Sequence, residues 1–153
     1  MEGLSVKGMF RIQITEDGKV IGDSGWKENQ VVDLGFNDYL CKSLGSSSGS
    51  AYIGFMALGT GTTPNASHTS LNGEVEVRTA VTFQTSSTSK TARFLATFGS
   101  SDNFVTKTEN ISNVGLFASS SGGTLFAGNT YDSSSCATNQ DVNATYDIIF
   151  AQA

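Results

Sequence analysis

The run 142–150 sets Val142, Ala144, Tyr146, Ile148 and Phe150 on every second position. Two-residue alternation puts all five on one side of an extended strand, with the polar residues on the other. The same pattern recurs along the chain. Phe10, Ile12 and Ile14 alternate with Met9, Arg11 and Gln13. Val75, Val77, Thr79, Val81 and Phe83 alternate through 74–84, and Ala92, Phe94, Ala96 and Phe98 through 91–98. Stretches 111–118 and 124–130 flank Ser119-Ser120-Ser121-Gly122-Gly123 as a hairpin, and Asp17-Gly18 supplies a second turn before Lys19-Val20-Ile21. The apolar stretch 51–58 (Tyr52, Ile53, Phe55, Met56, Leu58) reads as a strand buried on both faces.

One segment departs from period two. Leu34, Asn37, Tyr39-Leu40-Cys41 and Leu44 fall near a 3.6-residue repeat after Asp33, a candidate N-cap, and Gly45 follows as a stop. Short strands joined by Gly/Ser turns predict a mainly β chain: a single-domain antiparallel β-sandwich or barrel-like roll with one short helix at about 34–44. The whole chain, 1–153, reads as one β-rich domain, with 1–26 an N-terminal β-hairpin or arm and 31–150 the core. Trp26, in a polar connection, is expected to plug the core locally.

Composition removes other classes. Only 15% of the residues are charged, about a quarter are Ser or Thr, and there are ten Phe and four Tyr. That is too little charge for a coiled coil and too much apolar aromatic surface for a disordered chain. No run reaches the roughly 18 apolar residues of a membrane helix. The start Met1-Glu2-Gly3-Leu4 lacks a cationic segment followed by an apolar one, so no secretory signal is expected. Nine Lys and Arg against fourteen Asp and Glu give a net charge of −5. Without clustered cations to displace phosphate counterions, no nucleic acid is expected as a partner. Cys41 and Cys136 carry no spacing signature and are expected as free, mostly buried thiols, as in a reducing cytosol.

Chemistry is poorly supplied. The one histidine, His68, has neither a carboxylate nor a nucleophile specified beside it and reads as a solvated loop residue. Gly59-Thr60-Gly61 follows a strand, but the third glycine of a dinucleotide loop is missing and Pro64 intervenes. Glu74 and Glu76 share a strand face at a separation of roughly 6.5 Å, opposite Val75 and Val77, and read as its solvent side. Asp141 and Asn143 offer too few oxygens for calcium. Phe94, Phe98, Phe104, Phe117, Phe126 and Phe150 read as core. No catalytic, cofactor-binding or metal-ligating residue is therefore expected, and no cofactor.

Several segments carry a resemblance. Ala57-Leu58-Gly59-Thr60-Gly61-Thr62-Thr63-Pro64 is similar to the turn that ends an apolar strand in a group of tailed-bacteriophage virion proteins. In that group a short Leu-x-x-Glu-Val segment and an Arg follow; here Leu71-Asn72-Gly73-Glu74-Val75 and Arg78 look like them. Phe94-Leu95-Ala96-Thr97-Phe98, Ile111-Ser112-Asn113-Val114-Gly115-Leu116-Phe117 and Gly123-Thr124-Leu125-Phe126-Ala127 resemble its later strands, and Val32-Asp33-Leu34-Gly35-Phe36 its Gly-containing helix. The resemblance spans roughly 31–130 and departs at Asn113, where the group has Glu, and at Gly128, where it has Arg. It implies a non-enzymatic structural protein of the virion, assembled in the host cytoplasm. The expected form is a capsid decoration or cement protein that stabilises the shell through contacts with the major capsid protein. The alternative is a tail-fibre, baseplate or glycan-binding receptor module contacting tail proteins, using the hydroxyl-rich loops 46–50, 60–70 and 119–123. A homo-oligomer is expected by symmetry, with no membrane partner, and an exposed edge of the N-terminal hairpin is expected to add to a neighbour's sheet.

Overall fold

The alternating runs at 9–14, 91–98, 111–118, 124–130 and 142–150 become strands in the computed structural model, which describes residues 4–41, 43, 52–86 and 90–152. β1 (Leu4–Glu16) turns through Asp17 and Gly18, both at positive φ, into β2 (Lys19–Asp23). β3 (Lys27–Val31) leads to a wide-wound helical segment, Gly35–Cys41. β4 (Phe55–Gly59), β5 (Thr79–Ala80), β6 (Thr82–Ser86) and β7 (Thr91–Phe98) follow, then β8 (Glu109–Phe117), β9 (Leu125–Cys136) and β10 (Asp141–Gln152). All pairings are antiparallel, in the order β5-β4-β8-β9-β3-β1-β10-β7-β6, with β2 beside β1.

The ends of that order, β5 and β6, are neighbours in sequence, separated by Val81 alone. The sheet thus curls almost into a barrel, flattened into two layers. One layer holds β1, β2, β10, β7 and β6; the other holds β9, β8, β4 and β5. Two strands pass between the layers, a device that turns sandwich corners. In β3, residues 27–29 pair with β1 and residues 30–31 with β9. In the segment 79–86, β5 pairs with β4 and β6 with β7.

The main core fills the interior with the side chains that alternation points inward: Phe10, Ile12 and Ile14 from β1, Phe94 and Phe98 from β7, Tyr146 and Ile148 from β10, facing Met56, Leu58, Ile111 and Leu116. Each fully buried apolar side chain contributes about 1.5–3 kcal/mol. A smaller cluster of Val32, Ala57, Leu71, Phe117 and Leu125 lies on the opposite face of β4 and β8. β4 is therefore covered on both faces, as its unbroken apolar run predicts. Residues 1–26 hold β1, which lies between β3 and β10 in the pairing order and whose three inward residues belong to the main core.

Three expectations need correction. Residues 74–84 do not form one strand. Glu74 makes an isolated bridge to Gly59, and strand structure resumes only at Thr79. Glu74 and Arg78 would stand about 13 Å apart on an extended strand, yet their side chains meet at 2.7 Å, so the chain bends between them. Cys41 is exposed, because the helical segment presents Tyr39 and Gly35 inward and turns Cys41 away. Trp26 is 43% exposed and covers Arg93 from outside the sheet, with the guanidinium 5.7 Å from its ring. Of the expected helix 34–44, residues 42 and 44 lie outside the described residues, as does the loop 46–50.

Candidate contact surfaces

Of the segments that carry the resemblance, 57–64, 71–78, 111–117 and 123–127 lie together along the β4–β8–β9 layer, while 94–98 is part of β7 in the other layer. Gly59 and Gly61 run against the backbone of Asn72: a Cβ on Gly61 would lie 2.4 Å from the Asn72 carbonyl oxygen, and one on Gly59 2.1 Å from Asn113 Oδ1. That proximity lets the Thr60 and Gly61 amides donate to the carbonyls of Gly73 and Asn72, at 3.0 and 3.1 Å. The buried Asn113 amide donates to the carbonyls of Thr62 and Asn72. The Gly-Thr-Gly sequence is a packing joint, and its amides are occupied by the chain itself.

Arg78 ties the next two segments together. Its side chain is 5% exposed. Nε and Nη2 donate to the two Glu74 carboxylate oxygens at 2.7 and 2.9 Å; Nη1 donates to the Ser119 carbonyl at 2.9 Å and Nη2 to that of Gly122 at 2.7 Å. The guanidinium lies 3.5 Å above the Phe117 ring, a cation–π contact worth about 0.5–2 kcal/mol or more. Such a bidentate, face-stacked pair is fixed in one geometry. Arg78 therefore clamps the loop between β8 and β9 onto the strand entering β5. Among the residues read from the sequence, this clamp went unrecognised; its signal was a lone Arg four residues after a Glu in an otherwise apolar alternation.

The remaining candidates are dispersed. His68 Nδ1 accepts from its own loop, from the Asn65 amide at 3.3 Å. Glu76 is exposed and lines, with Glu74 and Glu109, one cavity of about 250 Å³, while the Glu74 carboxylate is held by Arg78. Asp141 accepts from the Ser100 amide at 2.7 Å, and Asn143 links Thr97 to Thr15 across three strands. Among the described residues no three metal-ligating side chains gather so as to hold an ion, and no helix is long and apolar enough to cross a membrane. Burial, with Asp141 nearby, pushes the Cys136 thiol up to about 11. Burial also raises the Tyr131 and Tyr146 hydroxyls well above their ordinary range. Both stay neutral in the core, and Asn29 donates to the Tyr146 oxygen.

Two apolar strand edges face outward among the described residues. On the β1–β2 hairpin, Val20 and Ile21 are exposed. There Gly22 pairs with Ile14 and Val20 with Thr15, which leaves Ile21 as an extra, bulged residue. Arg11 grips Asp23 in a bidentate pair, with Gln13 and the Gly25 amide also donating, and these bonds hold the Asp23 carboxyl far below its usual range. A short, bulged strand with a lysine at its start and a gripped Asp at its end is blunted against strand addition. The edge expected to pair with a neighbour is thus poorly suited to it.

The second edge is β6. Phe83 lies directly opposite Phe94 on β7 and shares its inward face, with the rings 5.5 Å apart. Phe94 is buried, but Phe83 is 57% exposed. A cavity of about 470 Å³ opens between Phe83 and Tyr52, which is 77% exposed. A second apolar cavity of about 160 Å³, sharing Tyr52, Ile53 and Phe94, continues it toward Tyr39 and Phe150.

A scan against protein-family models finds no match, and neither the search of curated proteins nor that of solved structures returns one.

Proposed function

We propose that this chain is a non-enzymatic structural subunit of a tailed-bacteriophage particle, acting as a decoration or cement protein on the capsid. The observation that carries the reading is the joint at Gly59, Gly61, Asn113 and Arg78. Three of the segments that resemble the virion group, around Gly59–Gly61, Asn72–Arg78 and Asn113, are used up there in packing one another and the loop at Ser119 and Gly122. The residue types that attract a catalytic reading, a Gly-rich turn, a carboxylate and an arginine, are hydrogen-bonded to the chain's own backbone and to each other. What the fold offers outward is exposed aromatic and aliphatic surface at strand edges, suited to contact with other proteins. A cement subunit works by mass action: it binds the assembled shell and not the dissociated one, and so raises the free energy of disassembly.

The two departures from the group remove any interface that would use its acidic and basic residues at those positions. Asn113 and Gly128 are diagonal neighbours on β8 and β9, since Gly115 pairs with Gly128. A Glu and an Arg at those positions would face each other within the sheet, and here both charges are exchanged together for neutral residues. The test is cryo-electron microscopy of particles from the phage that encodes the chain, with and without the gene. The expected result is a β body at symmetric sites on the shell, and heads that release DNA at lower temperature without it. A chain absent from the particle overturns the reading, and a body at the tail tip replaces it with the tail-module alternative.

A further inference from the structure

The corner strand 79–86 leaves the barrel open on one side. β5 pairs with β4 through Phe55–Ala80 and Met56–Thr79. Continued by three residues, through Gly54 and Val81, that ladder would bring Ile53 opposite Thr82 and Tyr52 opposite Phe83. It stops after one further bond, from the Val81 amide to the Gly54 carbonyl at 3.0 Å. Beyond that bond the chain leaves β4 for β7, and the two sides diverge around the 470 Å³ cavity. The Val81 amide points away from β7, and the two-residue alternation carries the Phe83 amide to the same side. Among the described residues, β6 pairs only with β7. The seam therefore combines three features: a strand edge facing outward, an inward-facing aromatic left uncovered, and an adjoining apolar hole.

We infer that this seam is a docking groove for an extended, uncharged segment of a neighbouring protein, which adds as a strand to the β6 edge and seats an apolar side chain in the hole beyond it. Strand addition takes its affinity from main-chain hydrogen bonds and its specificity from pockets for alternate side chains. The hole measures about 160 Å³. That is close to the roughly 150 Å³ cavities that accept one benzene ring, so it suits one aromatic or branched aliphatic side chain.

Charge and area narrow the occupant. Among the described residues, neither cavity is lined by a charged side chain. A charged residue buried there would lose hydration with no opposite charge to offset the loss, so the inserting positions are neutral and apolar. A second copy of the chain docking face to face is disfavoured by area. Phe83 and Tyr52 together offer about 250–300 Å², taking roughly 200 Å² for a whole aromatic side chain, against the roughly 800 Å² per partner of a stable interface. A strand gains what that area lacks from its backbone bonds.

This inference rests on the fold alone and stands whether or not the chain belongs to a phage particle. The test is selection of ten-residue peptides from a random displayed library on the purified full chain, followed by hydrogen exchange of the chain free and bound. The expected winners alternate apolar residues without charge at those positions. They slow exchange of the Phe83 amide at least tenfold and lose at least tenfold in affinity for Phe83→Asp and for Tyr52→Asp. Both positions are more than half exposed, so neither variant threatens folding, and Phe83→Leu is expected to retain binding. The inference is overturned by a library that yields no binder, by winners that bind Phe83→Asp as well as the parent chain, or by a Phe83 amide already protected in the free chain.

Discussion

The two corners of this sheet are built by the same device and end differently. At β3 the passage between layers is sealed. Asn29, the last residue paired with β1, reaches inward and donates to the Tyr146 hydroxyl, while Asn129 Nδ2 holds the Glu28 carbonyl at 2.5 Å. Val31 and Val32 then continue buried into the second layer. At 79–86 the passage is open: one backbone bond from Val81 spans the change of partner, and the next inward residue, Phe83, stands in solvent. The difference lies in what the facing strand allows. β1 has Gly8 opposite Asn29, and its missing side chain leaves the space that Asn29 fills. Among the described residues, nothing comparable reaches across from Tyr52 and Ile53. A strand that changes sheets closes a corner only where a neighbour cedes room for the side chain at the switch.

The sharpest way to break this comparison is to fill the ceded space. A Cβ on Gly8 would lie 1.6 Å from Asn29 Oδ1 and 2.1 Å from its Cγ. Gly8→Ala must therefore expel the Asn29 side chain and leave the buried Tyr146 hydroxyl without its partner. Overpacking costs about 1–3 kcal/mol and an unpaired buried polar group a further 1–3, so urea unfolding should show a loss of about 3 kcal/mol. A loss below about 1 kcal/mol would mean that the sealed corner does not depend on this fit.

The open corner depends on its anchor. Arg78 stands one residue before β5 and ties that end of the corner strand to Glu74 and to the loop at Ser119 and Gly122. Arg78→Met keeps the bulk and removes the donors. Losing one partner of a buried pair costs about 3–5 kcal/mol, but Glu74 is 24% exposed and recovers some hydration. The expected loss is about 2 kcal/mol, with faster amide exchange at Thr79 and Val81 and little change in β1 or β10. An equal rise in exchange across the whole sheet would show that the two corners unfold as one.

How far the sequence reveals these corners depends on what alternation encodes. It reports which face a residue takes, so Phe10, Phe94, Phe98 and Tyr146 were legible as core, and Val75, Val77 and Val81 do pack against it. It does not report which strand lies alongside. The change of partner at Val81 therefore left no mark, and Phe83, in phase with the buried residues, gave no sign of exposure. Gly59 and Gly61 read from the sequence as a turn leaving the sheet and not a ligand loop, yet the glycines alone do not say which, because a close approach to backbone and a close approach to phosphate need the same missing side chain. The Arg78 clamp was hidden for a further reason: its acceptors at Ser119 and Gly122 lie more than 40 residues away.

The smallest expected effect is the most discriminating. Phe83 has the parity of a core residue and the exposure of a surface one. Truncating a core aromatic costs about 3–5 kcal/mol, whereas surface changes usually stay within about 0.5 kcal/mol. Phe83→Ser removes the ring contact with Phe94 but opens no enclosed cavity, because the space beside it is already open. Unfolding free energy should change by no more than about 1.5 kcal/mol, the worth of the contact with Phe94 being about 0.5–1.5 kcal/mol. Phe94→Ala, one strand inward on the same row, should cost several times more. If the two variants cost the same, the Phe83 ring is covered in solution and the seam is shut; if they differ as expected, the chain maintains an aromatic at an open edge at little benefit to its own fold.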